Sequence, residues 1–180
     1  SYVVLPGVGS FEAGMGGLQQ GGFVEPLRQR IEEGKKTLAI CLGFQLLGRA
    51  SEESPGVAGL GIWPLTVRRL PPSPLLPQMG WNRVSVVGTG FLESGQAYYA
   101  NSYAFFERPR GWRAAISWYG REFVAAVERG GVLACQFHPE LSGNWGEELL
   151  RRWLADKKVD GYGWHGTTTT NQLQSPLDES

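Results

Sequence analysis

Apolar positions in the first forty-seven residues switch between two periods. Tyr2-Val3-Val4-Leu5 is a continuous apolar run, and Pro6-Gly7-Val8-Gly9-Ser10 is a turn rich in breakers. That is the pattern of a buried strand and its exit. Phe23, Val24, Leu27 and Ile31 then recur at helical spacing, and Gly34 with Lys35 and Lys36 marks the helix end. Thr37 to Ile40 is a second short apolar strand with Cys41 at its C-terminal end. Phe44, Leu46 and Leu47 suit the first turns of a further helix. Strand, helix, strand, helix predicts a parallel α/β sheet.

The middle of the chain changes character. Ile62 to Leu70, Trp81 to Val87, Ala97 to Phe105, Trp112 to Tyr119 and Phe123 to Glu128 are rich in β-branched and aromatic residues. Gly or Pro turns separate them, and no helix-length period intervenes. Val132 to Phe137 is another apolar strand after the Gly130-Gly131 turn. Trp145, Leu149, Leu150, Trp153 and Leu154 form a helical stripe. The predicted fold is therefore α/β, a mostly parallel central sheet flanked by helices, with an antiparallel β insertion. From about Val159 the period is lost, and a threonine run spans Thr167 to Thr170. The expected organisation is one domain over residues 1–158 and a disordered tail over 159–180.

Composition narrows the class. At 180 residues, 42% hydrophobic and 19% charged, the chain suits one soluble globular domain. Lys plus Arg and Asp plus Glu are equal at 17 each. A net charge of zero gives no electrostatic case for nucleic acid or an anionic membrane. No apolar run is long enough to cross a bilayer. Two cysteines, Cys41 and Cys135, make no disulfide framework and suggest a reducing, cytoplasmic compartment. The sequence begins at Ser1, directly in an apolar strand, so upstream sequence is expected.

The sharpest chemical feature is Ala39-Ile40-Cys41-Leu42-Gly43-Phe44-Gln45. A nucleophile between a parallel strand and a helix sits on a tight turn above the sheet edge. Gly43 leaves room for close helix approach. The helix N-terminus is expected to lower the thiol pKa below its usual value of about 8.5. The Leu42 amide is placed to face a developing oxyanion. The plain alternative is a buried core cysteine. A thiol nucleophile needs a base, and there are two histidines. His165 lies in the polar tail. His138 ends a strand, and Pro139 stiffens the turn that leads to Glu140, which is spaced to orient the imidazole. A Cys41–His138–Glu140 triad is the expectation. The Pro6-Gly7-Val8-Gly9 turn is not a phosphate fingerprint, and amides of Val8 or Gly9 suit a second oxyanion donor; a plain tight turn is the alternative.

Cys41-Leu42-Gly43-Phe44-Gln45 together with Gln136-Phe137-His138-Pro139-Glu140 resembles the class I (triad) glutamine amidotransferases. Leu5 to Phe11, Pro77 to Asn82 and Tyr99 to Tyr103 are similar to segments of the glutaminase subunits of imidazole glycerol phosphate synthase. The resemblance runs from Tyr2 to about Lys157. It implies thioester formation at Cys41, proton transfer by His138 and orientation of His138 by Glu140. It places oxyanion donors near Val8, Gly9 and Leu42, with rearrangement of the Val8 turn when the partner binds its own substrate. Gly7, Gln45, Glu53, Asn101, Ser102 and Tyr103 match glutamine-binding positions. Gln78, Met79, Trp81 and Asn82 match the face that docks a (β/α)8 cyclase subunit, to which ammonia passes. No metal or organic cofactor is implied.

Three departures stand out. The family starts with a strand, a helix and a strand ahead of Tyr2. Asn101 stands where His is common, and Leu141 where Lys is frequent. Competing readings are the glutaminase of another ammonia-channelling synthase, an inactive truncated interaction paralogue, and a cysteine hydrolase of the α/β-hydrolase type. The last is disfavoured by Ala39, where that fold prefers glycine.

Overall fold

Two short runs buried on both faces anchor the central sheet. Thr37–Ile40 (β2) and Val132–Cys135 (β10) are buried at every position, as continuous apolar strands must be when helices cover both faces. They pair in parallel, with Ile40 opposite Cys135. Val3–Leu5 (β1) pairs in parallel on the other edge of β2. In this computed structural model, residues 1–72 and 75–155 are described. The expected tail at 159–180, and His165 with it, lies outside the described residues.

The remaining strands extend the same sheet. Glu122–Arg129 (β9) runs antiparallel to β10, Arg113–Trp118 (β8) to β9, Gln78–Val86 (β5) to β8, and Gly95–Asn101 (β6) to β5. The order is β1-β2-β10-β9-β8-β5-β6, seven strands in all. The expected antiparallel insertion is thus continuous with the central sheet, and among the described residues parallel pairing in this sheet is confined to β1, β2 and β10. The physical reason is connection length. The Gly130-Gly131 turn between β9 and β10, and the short link from β8 to β9, permit only hairpin pairing. A second sheet of three short strands contains Ala50–Ser51 (β3), Thr66–Arg69 (β4) and Tyr103–Ala104 (β7).

Alternation along the strands divides the core in two. Ala39, Val132 and Ala134 face one cluster with Phe11, Met15, Leu27, Ile31 and Phe44. Leu38, Ile40, Leu133 and Cys135 face the other, with Phe123, Phe137, Leu149 and Trp153. The first face is covered by Phe11–Gln20 (α1) and Val24–Glu32 (α2), the second by Gly143–Leu154 (α4). The stripe that predicted α4 is the face that supplies Leu149 and Trp153 to the core.

Helix α1 escaped the sequence pattern. Three glycines dilute its period, and its caps come partly from afar. Ser10 accepts from the Ala13 amide, Glu53 from the Phe11 amide at 2.8 Å and Ser54 from the Glu12 amide at 3.2 Å. The helix expected after Cys41 is one turn only, Leu42–Gln45 (α3). The chain then turns so that Phe44 packs edge-on against Phe105 and Trp63, with Trp112 behind. The strand expected at Ile62 to Leu70 shrinks to β4, because Trp63 is committed to that aromatic cluster instead.

Candidate active site

The β2–β10 register builds the site. With Ile40 opposite Cys135, the next residues of the two strands, Cys41 and Gln136, emerge side by side. The Cys41 amide donates to Cys135 O at 2.8 Å. Cys41 then takes φ 54° and ψ −109°, and no other non-glycine among the described residues has positive φ. A β-carbon in that region costs about 1–3 kcal/mol, held in place only by strong surroundings. Here the surroundings are glycine contacts. A Cβ on Gly43 would lie 2.0 Å from Leu5 O, and one on Gly7 would lie 2.8 Å from Leu42 Cβ. The Pro6–Gly9 turn therefore presses directly on the Cys41-Leu42-Gly43 bend.

The free edge of β6 completes the site. The His138 amide donates to Tyr98 O at 2.9 Å, and the Cys41 Sγ lies 4.0 Å from Ala100 O. The sheet curls until its last strand meets the ends of β2 and β10, so the sulfur and the His138 backbone meet one strand two residues apart. Ser142 clamps the arrangement: its hydroxyl accepts from the Tyr98 amide and donates to His138 O. The imidazole Nδ1 lies 2.7 Å from Glu140 Oε1. With the proton on Nδ1 donating to that carboxylate, Nε2 keeps its lone pair. Among the described residues no hydrogen bond joins Cys41 Sγ to His138.

Cys41 is only 9% exposed. Burial pushes its pKa from 9.0 up to about 11; the Leu42 amide opposes the shift, Glu140 adds to it, Gln136 opposes it and Glu53 adds to it. The expected lowering by a helix N-terminus is overturned. A single turn of helix carries little dipole, and loss of water around a thiolate outweighs it.

Other expected site residues fall into three groups. Val8 is 86% exposed beside Gly9 at φ 99°, and neither amide donates to a protein acceptor among the described residues. Glu53 caps α1. Asn101 donates to Tyr103 O at 3.0 Å and accepts from Gln78 at 2.9 Å, and Ser102 O accepts from the Leu70 amide. Gln45 is buried and donates to both Tyr103 O at 3.0 Å and Gln136 Oε1 at 2.9 Å. Its amide protons are therefore spent inside the protein. On the expected partner face, Met79 and Trp81 are 67% and 60% exposed, but Gln78 is 2% exposed. Its amide bonds Asn101, and its oxygen accepts from Asn82. Gln78 holds strands together rather than presenting a surface, because the β5 pleat turns it inward and Met79 outward.

Gln136 carried no assigned role in the sequence, although it lies in the motif that includes His138. It is fully buried, and its Nε2 lies 3.8 Å from Cys41 Sγ. Only the parallel register of β2 and β10 reveals that contact. Among the described residues no three His, Cys, Asp or Glu side chains gather to hold a metal, and no helix is long and apolar enough to cross a membrane.

Comparison with known proteins agrees with this geometry. Residues 1–157 match the family described as Glutamine amidotransferase class-I. The chain is 42% identical over 154 residues to "Imidazole glycerol phosphate synthase subunit HisH" of Moorella thermoacetica, covering 83% of this chain and 73% of that protein. It is 36% identical over 187 residues to "Imidazole glycerol phosphate synthase hisHF" of Emericella nidulans, covering 95% of this chain but 33% of that longer protein. Among solved structures, one titled "Crystal structure of glutamine amidotransferase" shares the fold, with a TM-score of 0.64 and 24% identity over 84% of this chain and 76% of that one. The strand-end cysteine, the His-Pro-Glu turn and these likenesses converge: the chain belongs to the class-I glutamine amidotransferase family.

Proposed function

We propose that this protein is the glutaminase subunit of an imidazole glycerol phosphate synthase, hydrolysing L-glutamine to glutamate and ammonia. The observation that carries the reading is Cys41, held at positive φ on the β2–α3 bend, with its sulfur and the His138 backbone meeting β6 two residues apart, at Ala100 and Tyr98, and Glu140 paired to the imidazole. The relatives named HisH, at 37–42% identity, supply the assignment of the synthase.

The chemistry follows from the residues. The Cys41 thiol proton passes to His138 Nε2 as the sulfur attacks the side-chain amide carbon of glutamine. The carbonyl electrons move to oxygen, and the Leu42 amide with the Val8 or Gly9 amide receives that charge. Collapse of the tetrahedral species breaks the C–N bond, and His138 delivers its proton to the leaving ammonia. Water then adds to the thioester with His138 again taking a proton. Glutamate leaves, and the sulfur recovers its hydrogen. Glu140 keeps the imidazole in the orientation and tautomer that each transfer needs. Gly7, Gln45, Glu53, Asn101, Ser102 and Tyr103 surround the substrate side. Gln45, Glu53 and Asn101 act mainly by fixing backbone there, given their internal bonds.

Ammonia must reach its acceptor without dilution, which requires a docked cyclase subunit. Exposed Val8, Met79, Trp81 and Leu141 are apolar side chains available to such a partner. Two free thiols fit a reducing cytoplasm. The test is glutamate release by the chain mixed with the cyclase subunit and its ligand. Cys41→Ser and His138→Ala should each remove turnover. Turnover that survives in Cys41→Ser would end the assignment of the nucleophile, and wild-type turnover that ignores the cyclase would end that of the partner.

A further inference from the structure

Behind the sulfur runs a chain of three carboxamide contacts that the reaction as drawn does not use. Tyr103 O accepts from Gln45 Nε2 at 3.0 Å, the same nitrogen donates to Gln136 Oε1 at 2.9 Å, and Gln136 Nε2 lies 3.8 Å from Cys41 Sγ. Gln136 and Gln45 are 0% and 6% exposed. The direction of this chain is fixed. A carbonyl oxygen can only accept, so Gln45 must turn its NH2 to Tyr103. Its second N–H meets Gln136, which must then offer oxygen to Gln45 and nitrogen to sulfur. The backbone holds Gln136 as firmly, because its amide donates to Ala125 O at 2.8 Å and the Cys41 amide donates to Cys135 O. A buried amide is expensive to leave unpaired. A thiol is a poor acceptor and a thiolate a good one, so an N–H aimed at sulfur strengthens as the proton departs.

We propose that Gln136 is a positioning residue for the Cys41 nucleophile: its carboxamide, oriented by Gln45 and Tyr103 O, directs an N–H at the sulfur and stabilises the negative charge that develops there. This rests on Cys41 being the nucleophile but concerns the sulfur's own ionisation, so it is read without glutamine. Among the groups acting on the thiol, the Leu42 amide and Gln136 are the two that favour the anion, while Glu140 and Glu53 oppose it.

The experiment is iodoacetamide labelling of the full chain, alone and with its cyclase partner, followed at the Cys41 peptide by mass. Gln136→Met keeps the shape and removes the donor, and Cys41 labelling at pH 8 should fall about tenfold, the effect of one hydrogen bond to a charged group. A purely structural role predicts the opposite, since a loosened core exposes the sulfur and speeds labelling. Gln136→Glu keeps the oxygen that Gln45 needs, removes the donor and adds a like charge, so labelling should fall further. Gln45→Met frees Gln136 to rotate and should give a smaller fall. In the complex, kcat for glutamine should drop with KM little changed. Labelling in folded Gln136→Met at or above the wild-type rate overturns the proposal. If that variant does not fold, the same result in Gln136→Glu or Gln45→Met decides. Cys41→Ser separates the two claims: surviving turnover there refutes the nucleophile assignment, while the labelling order still tests Gln136.

Discussion

The buried thiol makes a quantitative forecast for the uncomplexed protein. Desolvation moves Cys41 from 9.0 to about 11. At pH 8 a thiol of pKa 9 is about 10% ionised and one of pKa 11 about 0.1%, a deficit near hundredfold. Since the thiolate is the reactive form, iodoacetamide should label Cys41 in the native chain about 10²-fold more slowly than in the same chain unfolded in urea. Limited access also slows labelling, because 9% of the residue is exposed. The two causes separate by slope. Access scales the rate by a constant, whereas ionisation makes it rise tenfold per pH unit with no plateau below about pH 10. The assay is a labelling time course from pH 7 to 10, read at the Cys41 peptide, with Cys135 fully buried as the internal silent control. A native rate within fivefold of the unfolded rate at pH 8 would refute the reasoning. So would a plateau below pH 9, the mark of a thiol already activated at rest.

The same structure fixes other outcomes. Gly43→Ala places Cβ 2.0 Å from Leu5 O, so β1 and the bend must part; stability should fall by roughly 1–3 kcal/mol and turnover by about 10²-fold, read by urea midpoint and glutamate release. Glu140→Gln keeps the shape but removes the charge that steadies an imidazolium, and kcat should fall roughly 10²-fold or more with the urea midpoint almost unmoved, because the side chain is half exposed. Phe105→Ala empties the ring cluster beneath α3 and should cost about 3–5 kcal/mol in urea unfolding. A thiol whose folded pKa is raised favours the native state below its unfolded pKa and loses that contribution as pH rises from about 9 through 11. Two units correspond to about 3 kcal/mol, so the alkaline drop in wild-type stability should be smaller in Cys41→Ser, which does not titrate there; an equal drop in both would locate the alkaline sensitivity elsewhere.

Legibility from sequence followed burial. Strands β2 and β10 are continuous apolar runs bounded by breakers; β2 spans Thr37–Ile40 as its pattern predicts, while β10 ends at Cys135, two residues short of the expected Phe137. Cys41 and the His138–Glu140 pair were readable because both lie at the ends of such strands. Helix α1 was not, since Gly14, Gly16 and Gly17 erase its period and Glu53 and Ser54 cap it from more than forty residues away. Gly14 has a packing reason, as its Cβ would meet Leu46 at 3.0 Å. Gln78, which the resemblance assigns to the partner face, is turned inward by strand pleating. The raised thiol pKa and the Gln136 contact share one cause of invisibility: each depends on which chain segments the curled sheet brings around the sulfur, and local pattern carries no such information.

These pieces constrain how the sulfur can be activated. A resting thiolate–imidazolium pair would set the thiolate in a nearly dry pocket under the influence of Glu140 and Glu53, which both disfavour it. No hydrogen bond between Cys41 Sγ and His138 is present among the described residues to join such a pair. The electrostatics instead favour proton loss during attack, because charge then passes through sulfur without resting there and ends on the substrate oxygen beside the Leu42 amide. Backbone amides that are already oriented stabilise that oxygen with little reorganisation. The positive-φ bend has the same logic. It aims the sulfur and the following amide into one space, and the close glycine contacts at positions 7 and 43 keep it from relaxing. Burial thus makes the thiol inert at rest, while the bend directs its charge, once formed, to the one place prepared for it.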